Sequence, residues 1–168
     1  LADDAHRAVI APRAARAHSF SKGSSRQQYP SSLMGSIALL RQTYHDAQWY
    51  AQFDRPLERN ISLEAFNARA GLPTIFETSG WQDVLRADRL CDEFGVQSVF
   101  YDRGDAYQRL DEVAATGGAL IVSLKFPEAL DVSDPYLARL VSLKELKHWE
   151  LAPYNPGRVA ARGIEMAL

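Results

Sequence analysis

Two carboxylates stand where a strand would hand over to a loop. Glu77 closes the apolar run "LPTIFE" (72–77), and Asp102 closes "VQSVFYD" (96–102). In parallel α/β proteins reacting groups are placed at the carboxyl ends of the strands. Neighbouring parallel strands lie about 4.8 Å apart, so two such carboxylates can converge. Their oxygens bind zinc or another hard divalent ion, which makes Glu77 and Asp102 candidate metal ligands. The opposing reading is that each bonds the amides of its own loop. Asp105, in "DRGD" (102–105), also has two readings. It is a candidate acid or base at the same rim, or the cap of a helix opening at "AYQRL".

The other reactive side chains form no pattern. His148 and Glu150 in "KHWE" are two apart on a helix and do not share a face. Trp149 between them reads as a packing anchor. His45 lies beside Asp46 on a solvated helix face, and His6 and His18 fall in an irregular arm. Cys91 is the single cysteine, so no internal disulfide or cysteine zinc cluster forms, and its place on an apolar helix face reads as a structural thiol. No Gly-x-Ser-x-Gly elbow occurs, since Gly35 directly precedes Ser36 in "SLMGS". "DRGD" lacks the glycines of a phosphate loop.

The elements that would position these groups follow from periodicity and punctuation. Residues 1–30 read as an irregular arm, with "HSFSKGSSRQQYPSS" supplying loop signals into the next segment. A helix over about 32–54 carries Leu33, Ile37, Leu40, Tyr44 and Ala47 on one stripe, and a short one over about 62–70 stops at Gly71. Strand 73–78 leads into helix 80–94, with Ser79 and Gln82 as a capping box and Gly95 as the stop. Strand 96–101, helix 106–116 capped by Asp105, and strand 119–124 follow. After the loop "KFPEALDVSDPY", Ser142 and Glu145 make a capping box for helix 143–152. A last helix has Pro156 in its first turn and stops at Gly163, and "IEMAL" (164–168) reads as the opening of a fourth strand. Short apolar strands alternating with helices imply right-handed crossovers and a parallel sheet. A parallel strand is normally followed by a covering helix, so residues 31–168 read as part of a larger α/β unit.

Composition narrows the class. The chain has 168 residues, 46% apolar and 24% charged, and a net charge of −2. Residues 1–30 hold five Lys or Arg against two Asp, but no recognition motif follows them, and no nucleic-acid role is expected. No apolar run is long enough to span a membrane, and the first residues lack the apolar core of a signal peptide.

The segments "QQYPSSLMGSIALLRQTYHDAQWY" (27–50), "DEFGVQSVFYDRGDAYQRLDEVAATGGALIVSLKFPEALDV" (92–132) and "VSLKELKHWELAPYNPGRVAARGIEMAL" (141–168) resemble the amidohydrolase superfamily. More narrowly, they resemble the imidazolonepropionase-related branch of exported bacterial amidohydrolases. "YPSSLMGSIALLRQ" and "LKHWELAPYNP" carry the narrower likeness. The resemblance implies a (β/α)8 TIM-like barrel with one or two divalent metals, and a metal-bound hydroxide that attacks an amide-like carbonyl. It makes strands 73–78, 96–102, 119–124 and 164–168 the fifth to eighth of that barrel. The fifth-strand His then matches Glu77, a second His two residues on matches Ser79, and the sixth-strand His matches Asp102. The first-strand His-x-His pair would precede residue 1, and the eighth-strand Asp would follow Leu168.

The resemblance therefore implies a parent protein that is a zinc- or other metal-dependent hydrolase of C–N bonds in a small amide or cyclic amide. This chain would be an inactive piece of it that holds no metal itself. Export or a periplasmic location is implied by the branch alone. The alternative is a non-catalytic α/β binding or scaffold module that self-associates through open sheet edges.

Overall fold

A computed structural model describes residues 11, 13–53 and 58–168. His6 and the end of the first expected helix, at 54, lie outside the described residues. The elements in order are β1 (Arg16–Ser19), α1 (Leu33–Tyr50), α2 (Ile61–Asn67), β2 (Thr74–Glu77), α3 (Trp81–Glu93), β3 (Ser98–Asp102), α4 (Leu110–Ala115), β4 (Ala119–Val122), α5 (Pro135–Ala138), α6 (Leu143–Leu151), α7 (Asn155–Ala161) and β5 (Met166–Ala167). Short 3-10 turns at Ala106–Gln108 and Ala152–Tyr154 lead into α4 and α7.

All strands are parallel and lie in chain order, β1-β2-β3-β4-β5. Right-handed crossovers in an unreversed order carry every connection to the same side of the sheet. Alternation along each strand then sorts the side chains. Thr74, Phe76 and Thr78, then Phe100 and Asp102, then Leu120 and Val122 are buried on the helix side. They pack on Val84, Ala87, Leu90 and Cys91 of α3, Val113 of α4 and Val159 of α7 in one core. Phe76 and Phe100 are fully enclosed, each worth about 1.5–3 kcal/mol of burial. The intervening residues Ile75, Glu77, Val99, Tyr101 and Ile121 face the other way and keep partial or full exposure.

The stretch expected to be an irregular arm contributes β1. "RAHS" has no apolar alternation, so no local signal marks it as a strand. It is made one by pairing, with Arg16 N–H donating to Pro73 O at 2.8 Å and the register running Arg16↔Thr74 to Ser19↔Glu77. Sheet context outweighs intrinsic preference at such an edge. The helix expected over 106–116 is broken at Arg109, whose φ of −148° leaves the helical region between the 3-10 turn and α4. Among the described residues no helix is long and apolar enough to cross a membrane.

Candidate functional site

The carboxyl ends of β1 to β4 open onto a cleft of about 1100 Å³ on the face away from the core. Ser19 and Glu77 reach it from the ends of β1 and β2, Tyr101 and Arg103 from β3, and Ser123 and Lys125 from just beyond β4. Glu77 is exposed there, and its Oε1 takes a hydrogen bond from Arg103 Nη2 at 3.2 Å. Both partners are more than half exposed, so the pair contributes at most about 1 kcal/mol.

Asp102 is not in the cleft. Glu77 pairs with Tyr101, and Asp102 with Val122, so Asp102 sits one residue further along than Glu77. Side chains one residue apart in register point to opposite faces. Asp102 is 0% exposed, on the helix side, where its Oδ2 accepts from Asn155 Nδ2 at 2.7 Å. Asn155 in turn accepts the Tyr107 amide at 2.8 Å, which ties the end of β3 to the start of α7. Burial pushes the Asp102 carboxyl pKa up, against the Asn155 bond and the nearby amides of Gly104, Asp105 and Ala106. Its Oδ1 has no partner at hydrogen-bonding geometry.

Asp105 caps a helix, but not the one that follows it. It makes no side-chain cap bond to its own 3-10 turn. Its Oδ1 instead accepts the amide of Trp81 at 2.9 Å and so caps α3. The capping box expected from Ser79 and Gln82 is absent, Gly80 being the cap residue with no side chain to offer. A Cβ at Gly80 would lie 2.8 Å from Asp105 Oδ2, so glycine makes room for the imported cap. Burial first, and the Asp102 charge second, raise the Asp105 pKa. The Ser142–Glu145 capping box forms in full.

The structure thus separates the three carboxylates: Glu77 in the cleft, Asp102 in the core, and Asp105 in the loop after β3, capping α3. Glu77 and Asp102 do not form a common donor set. Among the described residues no three His, Cys, Asp or Glu side chains gather to hold a metal.

Sequence spacing gave His148 no role, yet α6 carries it to the cleft. Its Nδ1 lies 3.1 Å from Tyr107 Oη, and the two rings stack at 6.1 Å. An imidazole fixed through one nitrogen keeps the other free to take or give a proton. No spacing rule could find this pair, which joins residues 41 apart in the chain. His18, from the unrecognised β1, packs against Tyr44, Phe66 and Phe76, and its Nε2 meets Tyr44 Oη at 2.9 Å. Burial lowers its pKa, so it is neutral near pH 7. Cys91 is buried as expected, its thiol pushed up to about 11 mainly by burial.

No family model matches this chain, and no curated protein matches it. Its fold is similar to that of an amidohydrolase from Thermotoga maritima MSB8, with a TM-score of 0.71 at 18% identity. The likeness covers 97% of this chain and 43% of that one, so the chain spans less than half that protein's length. The five parallel strands and flanking helices form an α/β fold similar to part of that protein's fold, as a partial TIM-like barrel would.

Proposed function

We propose that this chain forms part of an amidohydrolase-type barrel whose whole protein hydrolyses C–N bonds in a small amide or cyclic amide. The observation that supports it is the cleft itself: four consecutive parallel strands deliver their carboxyl ends to one opening. That is the end at which (β/α)8 enzymes assemble their sites. In this reading the divalent metal is held by residues outside this chain, and this chain supplies the substrate-facing wall. Lys125 and Arg103 offer charge to a polar substrate, and His148, oriented by Tyr107, offers a proton carrier. The imidazolonepropionase-related branch and export rest on the sequence motifs.

A second reading is favoured by the engagement of the carboxylates. Glu77 is paired with Arg103 and Asp102 is tied to Asn155, as in a non-catalytic module. Metal analysis separates the two. In the barrel reading, the whole protein binds zinc and hydrolyses a cyclic amide such as a hydantoin, while this chain alone takes up no stoichiometric zinc. Stoichiometric zinc on this chain, lost in Glu77→Gln, would show that a ligand set forms here after all. A zinc-loaded whole protein with no amidase activity would favour the binding module.

A further inference from the structure

The opposite side of β1 from the cleft carries a buried cation that meets no counter-charge among the described residues. Arg16 is 8% exposed, and its Nε–H is buried with no hydrogen-bond partner among the described residues. Its guanidinium lies 5.7 Å from the Tyr44 ring centre and 5.4 Å from that of Phe66. Cation–π contact offsets part of the lost hydration but leaves the in-plane Nε–H unanswered. Arginine does not escape this by losing its proton. The contrast within the chain is clear: Arg41, Arg59, Arg86, Arg103, Arg109 and Arg162 each pair with a carboxylate. Arg16 has no such partner among the described residues. The groups that feel its charge, His18, Tyr44 and Cys91, supply no anion near pH 7.

The surroundings form a pocket rather than a sealed void. A cavity of about 390 Å³ between β1 and α2 is lined by Arg16, Arg69, Ser62 and Phe66, among others. Arg69 fixes one nitrogen on its own helix, Nη1 donating to Ala65 O at 2.6 Å, which leaves other N–H groups for the pocket. Two guanidinium groups and a hydroxyl suit a doubly charged oxyanion better than a single carboxylate.

We propose that the pocket between β1 and α2 binds a phosphate group, free or as a small phosphomonoester, through Arg16 and Arg69. The site lies across the sheet from the cleft and does not depend on the hydrolase reading. Thermal melts of the chain at pH 7.5 test it, using sodium phosphate, β-glycerophosphate and sodium acetate against sodium chloride at equal ionic strength, which cancels screening. The expected result is a saturable rise in Tm with phosphate or the monoester, and less with acetate. The arm with the stronger response identifies the free or esterified form. Arg16→Met abolishes the rise, and Arg69→Met weakens apparent affinity about tenfold, the loss of one charge-assisted contact. In ¹H–¹⁵N spectra the Arg16 Nε–H signal moves with phosphate, a readout available even if Arg16→Met fails to fold. An equal rise in Arg16→Met, or an Arg16 signal indifferent to both phosphate probes, would overturn the site.

Discussion

Asp88, on α3, is held at a pKa of about 6, chiefly by burial and then by the Asp92 charge one turn along. Its unfolded value is near 3.9, so the folded chain binds this proton more tightly. The stability it contributes is full below about pH 4 and is lost as pH rises through about 6. Asp88→Asn removes the repulsion at i,i+4 and should raise Tm by about 1–2 °C at pH 8. The gap should narrow clearly by pH 4.5 and close only below about pH 4. Melts of both proteins at the two pH values decide it, and an identical gap at each would remove the carboxylate from the explanation. The same dependence on neighbours limited what single residues revealed. Glu77 and Asp102 both end apolar runs, as the sequence suggested. Which face each takes depends on a one-residue register offset between strands, and nothing local to either residue encodes that.

Elements bounded by their own side chains were legible, and those bounded by a neighbour were not. The Ser142–Glu145 box and the Ser32 cap lie within a turn of the helices they start. β1 exists through its pairing with β2, and α3 is capped by Asp105 from the loop after β3. Packing between elements is equally hidden at Gly118, just before β4. A methyl group there would overlap the ring carbons of Phe100 on the adjacent strand. Phe100 is fully buried, so its ring has little room to yield. Gly118→Ala should therefore destabilise the chain by about 2 kcal/mol, in the range for overpacking. In urea unfolding, Phe100→Leu combined with Gly118→Ala should cost less than the two single changes added together, since the smaller side chain relieves the overlap. Strict additivity, or a cost for Gly118→Ala below about 0.5 kcal/mol, would mean that the contact relaxes freely.

The unreversed strand order sets the behaviour of the whole molecule. Helices cover one face of the sheet, and β1 and β5 are its outer strands. In the parallel pairing Arg16 N–H is committed to Pro73 O, so the backbone groups of Ala17 point to the outer side of β1. Such an edge is a template for another strand. Within a closed barrel it would be paired by a preceding strand; in the isolated chain a second copy can take that place. Sedimentation velocity over a tenfold concentration range should then show a rising weight-average sedimentation coefficient. Ala17→Pro deletes one outward N–H while leaving the β1–β2 bonds in place, a substitution that edge strands tolerate. It should flatten the rise without lowering Tm by more than about 2–4 °C, the equivalent of about 1 kcal/mol at this size. A native chain that stays monomeric throughout would mean that the edge is shielded. An association unchanged in Ala17→Pro would move the contact to another surface, such as the exposed apolar side chains Tyr136, Leu140 and Leu143 around α5 and α6.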